Sequence, residues 1–286
     1  MRGWLIKILQ AFKLLRFFNF NAYAPVNKKL FKIPLMGNTG IVNLQISEPW
    51  MTEILEFIVS FEKGKFVDVG VNLGQTLLKL KSVNSKTEYI GFEPNSHCVN
   101  YVSKLIKENR FENTCIIPVG ISNEVSLAKL YFTTNSSTDS AASTIQGFRK
   151  ENAIKFSNYI TLLDVTTIEN AVNLSGVSIL KIDVEGGELE VLKSFHSRIQ
   201  QDQPLILIEI LPVYSQENSL RKKRQDEIEV LIKNLNYTIF KIIKHKKVLE
   251  LEKIDFIGIH SDLNLCDYIL VPKNRLKLFL ERFNDV

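Results

Sequence analysis

Short apolar runs alternate with longer amphipathic stretches through most of this chain. Phe66-Val67-Asp68-Val69, Thr87 to Glu93 (TEYIGFE), Thr114 to Val119, Ser178 to Val184 (SILKIDV) and Pro204 to Leu211 (PLILIEIL) read as strands. Several are apolar at nearly every position, and helical patterns separate them. That combination predicts an α/β fold, with a mostly parallel sheet covered by helices on both faces. Leu127 to Phe132 and Tyr159 to Val165 add strands, and Tyr237 to Ile243, Phe256 to His260 and Cys266 to Pro272 close the sheet. Helices are predicted from Ser47-Glu48-Pro49 to near Gly64, with Ser47 as cap, and from Asn95 or Ser96 to about Asn109. A short helix capped by Thr166 or Thr167 follows, then Leu189 to Phe195, Ser219 to Leu235 and Lys273 to Phe283.

The strand at Asp68 runs into a glycine-bearing turn, Gly70-Val71-Asn72-Leu73-Gly74, and Gln75-Thr76 open the next helix. Glycines let a ligand approach the main chain, and a helix start directs free amide groups at it. A dinucleotide turn needs its middle glycine for contact with a pyrophosphate. Asn72 stands there instead, and the Asp68 carboxylate would repel phosphates and attract an amino group. The expected ligand is S-adenosylmethionine, with NAD as the weaker rival. Glu93 lies nineteen residues after Gly74, close to the separation of a ribose-binding carboxylate, and Pro94 ends its strand. Gly120-Ile121-Ser122 would border the adenine. The expected cofactor set is therefore Asp68, Gly70, Asn72, Gly74, Gln75, Thr76, Glu93, Pro94, Ser122 and Asp183. Asp183 and Glu185, at the end of the SILKIDV strand, suit general-base work or a divalent ion, and no metal is predicted. His97 and His196 are read as structural. Ser/Thr-rich Thr133 to Thr144 would be a loop near the substrate.

Composition changes little. The 286 residues are 45% hydrophobic and 23% charged, with a net charge of +5, ordinary values for a globular chain. Cys98, Cys115 and Cys266 are odd in number and widely spaced, which favours a reducing, cytoplasmic compartment. Residues Trp4 to Phe20 mix large apolar side chains with Lys7, Lys13 and Arg16, so they do not cross a membrane. Their polar positions recur every three residues and drift around a helix. Peripheral membrane contact through residues 4–20 and docking on the protein or a second subunit both stand as readings. Asn21 to Pro34 looks like a linker, and Gly37 to Gly40 like the turn of a small hairpin between Leu35-Met36 and Ile41-Val42. The chain divides into an extension, 1–46, and a main domain, 47–286. The run Arg221-Lys222-Lys223-Arg224 is read as a solvated helix face, since Asp226, Glu227 and Glu229 follow it, and no nucleic-acid partner is expected.

The blocks D-V-G-V-N-L-G-Q-T, G-F-E-P-N, L-K-I-D-V-E-G-G-E-L-E-V-L, P-L-I-L-I-E-I and D-Y-I-L-V-P, in this order, resemble the FkbM-type family of S-adenosylmethionine methyltransferases. The likeness runs over roughly Ser47 to Lys273. It implies the class I methyltransferase sheet of seven strands with an antiparallel last strand. It implies that Asp68, Gly70, Asn72, Gly74 and Glu93 hold the cofactor, with Asp183 and Glu185 facing the transferred methyl. The acceptor implied is a hydroxyl on a sugar, glycolipid or other small molecule. The stretch around Ser136-Ser137 and Ser143-Thr144-Ile145 departs from the family's compact middle element. A cofactor-binding module without catalysis is the alternative.

Overall fold

The computed structural model describes residues 3–45, 48–148, 151–244 and 249–284. A short helix α1 (Gly3–Ala11) precedes a hairpin of β1 (Asn19–Val26) and β2 (Lys29–Met36). Then follow α2 (Pro49–Phe61), β3 (Lys65–Val69), α3 (Gln75–Val83), β4 (Tyr89–Phe92), α4 (Ser96–Asn109) and β5 (Thr114–Ile117). The middle of the chain holds β6 (Gly120–Ile121), β7 (Ser126–Phe132), β8 (Phe156–Leu163) and α5 (Val165–Glu169). The rest is β9 (Val177–Ile182), α6 (Glu188–Ser194), α7 (His196–Asp202), β10 (Leu205–Glu209), α8 (Ser219–Asn234), β11 (Tyr237–Ile243), β12 (Glu250–Ile254), β13 (Asp267–Pro272) and α9 (Leu276–Asn284).

Among the described residues the main sheet has eight strands in the order β12-β11-β13-β10-β9-β3-β4-β5. The run from β10 to β5 is parallel throughout, and β13 lies antiparallel between β10 and β11. These seven strands are the α/β arrangement expected, with a reversed last strand, and β12 adds an eighth at the edge. Side chains alternate between two cores, as the pleat requires. Phe66, Ile179, Leu205, Leu207 and Ile269 point to a layer of α2, α3, α4 and α9. Val67, Leu180, Ile206, Ile208 and Leu270 point to the layer of α5 to α8.

Several sequence expectations need correction. Asn21 to Pro34 is not a linker but most of the β1–β2 hairpin, which turns at Asn27-Lys28. Both strands of a two-stranded ribbon are edges, so Pro25 and Pro34 cost no shared ladder bond. Its Ala22, Ala24, Val26, Ile33 and Leu35 are buried in the same core as α2 and α4. The turn at Gly37 to Gly40 closes only a single bridge, Met36 to Thr39, and leads into a 3-10 turn, Ile41–Leu44. Phe256 to His260 is irregular, and Glu250–Ile254 pairs with β11 instead. Strands β6, β7 and β8 leave the main sheet for a small one of their own. Ser47, the expected cap of α2, lies outside the described residues. The short helix α5 is capped by Asp164, which accepts from Thr167 N at 2.6 Å.

The basic run on α8 is partly internal. Arg221 stacks 4.2 Å from the Phe148 ring and donates to Phe148 O at 3.3 Å. Arg224 pairs with Glu190 and donates to Gly186 O at 2.7 Å. Both arginines brace the loops over the carboxyl ends of the strands.

Candidate functional site

The order β5-β4-β3 reverses direction of travel at β9-β10, and a crevice opens where neighbouring strands send their connections apart. A cavity of about 380 Å³ sits there, at the carboxyl ends of β3, β4, β9 and β10.

Backbone builds one wall. Gly70 has φ +91°, and a Cβ there would lie 1.8 Å from Asp183 O, so only glycine lets the β3 exit pass the end of β9. Asn72 has φ 49°, a left-handed conformation that asparagine tolerates better than most residues. The turn thereby points the Asn72 N–H at Glu93. Glu93 Oε2 accepts it at 2.7 Å, and Oε1 accepts from Asn95 N at 2.8 Å. Burial pushes the Glu93 carboxyl up to about 7, against the pull of the Asn95 and Asn72 amides. Asn95 also donates to Ser137 O at 2.7 Å, which ties the Ser/Thr-rich segment to this wall. That segment is folded around Asp139, whose Oδ2 accepts from Thr133 N at 2.7 Å and Thr134 N at 2.9 Å. Partial burial raises the Asp139 carboxyl, but the amides of Ala141, Thr133 and Thr134 hold it below its ordinary value.

Carboxylates build the opposite wall. One oxygen each of Asp183, Glu185 and Glu209 lies within 4.8 Å of the others, a set that could hold a divalent cation. Lys181, next to last in the largely apolar strand β9, donates to Asp183 Oδ2 and Asp68 Oδ1, both at 3.2 Å. Tyr89 Oη donates to Asp68 Oδ2 at 2.7 Å. Burial works against charge on Lys181, yet Asp183 and Asp68 keep its pKa high. Burial raises Asp183 too, but Lys181 and a hydrogen bond from Glu209 leave it below the usual carboxylate range. Burial and the Asp183 charge push Glu209 the other way, so it holds the proton of the pair. Gly186, φ +108°, completes this side: the Phe148 ring packs where a Cβ would be, 2.8 Å away.

A profile described as the methyltransferase FkbM domain matches residues 68–239. The chain belongs to the FkbM methyltransferase family. Similar folds include a methyltransferase FkbM from Methylobacillus flagellatus, at 16% identity and TM-score 0.46, covering 73% of this chain and 44% of that one. A precorrin-6y C5,15-methyltransferase from Geobacter metallireducens is 8% identical with TM-score 0.37, over 77% of this chain and 84% of that one. TYW2 of M. jannaschii, solved with AdoMet, is 12% identical with TM-score 0.36, over 88% and 86%. A search of curated proteins gave no match.

The FkbM domain brings Gly70, Asn72, Gln75, Thr76, Glu93, Pro94, Asp183 and Glu185 onto the wall of one cavity. Asp68, Gly74 and Ser122 are elsewhere. Asp68 is fully buried behind the wall, its charge met by Lys181 and its second oxygen by Tyr89. Burial raises its pKa, with Lys181 opposing. Gly74 starts α3 beneath the turn, and Ser122 is buried, its N–H donating to Leu163 O at 3.0 Å. Sequence reading passed over Lys181, although a lysine inside a continuous apolar strand signals a buried partner. It also passed over Asp139 and Cys98, which line the cavity from the loop and from α4. Glu48 reaches the wall as well, paired with Lys79 at 2.7 Å.

Proposed function

We propose that this protein transfers a methyl group from S-adenosylmethionine to a hydroxyl oxygen of a small-molecule or glycan acceptor. The observation that carries the reading is one cavity with two chemically different walls, backbone and Glu93 on one side, Asp183 with Glu185 and Glu209 on the other. Its volume of about 380 Å³ falls in the range of cofactor sites. The residues present fit the cofactor. Each Glu93 oxygen accepts one backbone N–H, and a carboxylate offers about four acceptor positions, so two remain for the ribose hydroxyls. Bound there, S-adenosylmethionine supplies an electrophilic methyl on a positively charged sulfur.

The chain's own part is alignment and proton removal. Asp183, kept ionised by Lys181, accepts the acceptor's hydroxyl proton in a hydrogen bond and so directs an oxygen lone pair at the methyl. As the oxygen gains its new bond its proton becomes strongly acidic, so a carboxylate of depressed pKa is basic enough. Glu209 carries a proton beside Asp183, which limits the negative charge in the pocket before transfer.

The test is incubation of the protein with glycan and lipid extracts and methyl-labelled S-adenosylmethionine. A labelled sugar or lipid ether is expected. Label confined to nucleic acid or protein amines, or cofactor bound with no acceptor labelled, would overturn the reading.

A further inference from the structure

The first acidic residue in this chain is Glu48. Before it stand Arg2, Lys7, Lys13, Arg16, Lys28, Lys29 and Lys32, so this part is net positive while the remainder of the chain is net negative. The positive charge coincides with exposed apolar surface. Phe12 is 71% exposed and Phe17 68%, with Ile8, Leu14 and Phe18 exposed beside them. No single helical face makes this patch. Helix α1 ends at Ala11, Lys13 turns the chain with φ 57°, and a 3-10 turn, Leu15–Phe17, follows. Leu15 and Ile6 anchor the segment in the core with Leu9 packed against it, while Ile8, Phe12, Leu14, Phe17 and Phe18 are exposed. Arg16 lies 4.7 Å over the Phe17 ring, and among the described residues no carboxylate pairs with Lys7, Lys13 or Arg16.

The patch sits close to the cavity. Gly37 N donates to Phe18 O at 3.1 Å, and Asn38, Gly40 and Val42 border a depression shared with Asn72, Gln75 and Ser140, with Val42 also lining the main cavity.

We propose that residues 8–18 dock on an anionic lipid bilayer. Aromatic and aliphatic side chains interleaved with Lys and Arg suit the headgroup boundary, where apolar parts insert and cations meet lipid phosphates. A protein interface fits less well, because its core is depleted of lysine and would bury cations that have no partner here. Docking holds the cavity mouth beside the lipid surface. If methyl transfer also holds, the acceptor class becomes a membrane amphiphile with a hydroxyl-bearing headgroup. That clause rests on the proposed activity; docking itself does not.

The test is co-sedimentation of the full chain with vesicles, needing neither cofactor nor acceptor. Phosphatidylcholine vesicles are compared with vesicles containing phosphatidylglycerol. Binding to the anionic vesicles is expected to be about tenfold or more the stronger and to weaken between about 0.1 M and about 1 M salt. Lys13→Glu with Arg16→Glu, and separately Phe12→Ser with Phe17→Ser and Phe18→Ser, should each lower partitioning about tenfold. Thermal unfolding of both variants should match the parent, since these side chains are exposed. Equal binding to both vesicle types, or none, overturns the proposal. So does a dimer in light scattering that the serine variant dissolves, which would make the patch a contact between copies. Docking without any methyl transfer would leave it standing and remove only the acceptor clause.

Discussion

The two walls of the cavity are built from different materials. On the β3–β4 side much of the lining is main chain, shaped by Gly70 and Asn72, and Glu93, the carboxylate at the end of β4, has both oxygens tied to backbone amides. On the β9–β10 side the groups are carboxyls, charged or protonated according to their neighbours, and Lys181, on the same wall, keeps Asp183 ionised. A wall of fixed amides holds a ligand in one pose. A wall of coupled carboxyls can move a proton. The difference predicts that substitutions should separate cleanly into losses of stability, of turnover and of cofactor affinity.

The largest effect should come from Lys181→Met. It leaves Asp68, which is 0% exposed, without its counter-charge, and breaking a buried pair on one side costs about 3–5 kcal/mol. Chemical denaturation would read this, and adding Asp68→Asn should recover part of it. A loss below about 1 kcal/mol would mean that the network behind the wall does little. Next is Asp183→Asn. Turnover at saturating cofactor should fall about 10²–10⁴-fold, the usual worth of a positioned acid or base, while calorimetry finds the cofactor dissociation constant nearly unchanged. A variant that instead loses its cofactor would put Asp183 with the holding wall.

The holding wall was the more legible in sequence, for a physical reason. Its determinants are local: a strand, a glycine turn and a strand-end acid at a set separation, Gly70 to Glu93, are neighbours along the chain as well as in space. The carboxyl wall depends on pairings across long sequence distances. Asp183 and Glu185 could be found at a strand end, but that Lys181 reaches Asp68 and that Glu209 meets Asp183 follows only from the register of β3, β9 and β10. Asp68 shows the consequence. Its position beside the turn suggested an attraction for an amino group, whereas its charge is spent on Lys181. The sheet itself was readable from its apolar runs. The β1–β2 hairpin was not, because Pro25 and Pro34 argue against strands unless both strands are known to be edges.

Glu93→Gln should sit below Asp183→Asn in effect and fall on a different measurement. It removes a charged acceptor but keeps the shape, so cofactor affinity should weaken about 10- to 100-fold, the range for a hydrogen bond to a charged group. Turnover at saturation should stay nearly constant. If turnover falls while affinity holds, the division between the walls is wrong.

The smallest effect is a pH dependence, and its sign follows from burial. Burial raises the Glu93 carboxyl to about 7, so the cofactor-free protein favours the neutral form. Hydroxyl donors favour the ionised form, so binding releases a proton and affinity should rise with pH, about tenfold between about pH 6 and about pH 8. Stability of the cofactor-free protein runs the opposite way: what this group contributes is fully present below its unfolded pKa and is lost as pH rises through about 7. Glu188, also raised by burial to about 7, gives stability the same slope, but its carboxyl bonds to Gly186 N at 2.8 Å and it does not line the cavity. Glu188→Gln should therefore flatten part of the stability curve and leave the affinity curve alone, whereas Glu93→Gln should flatten both. An affinity curve that stays steep in Glu93→Gln would assign the proton to the opposite wall, where Asp183 and Glu209 share one.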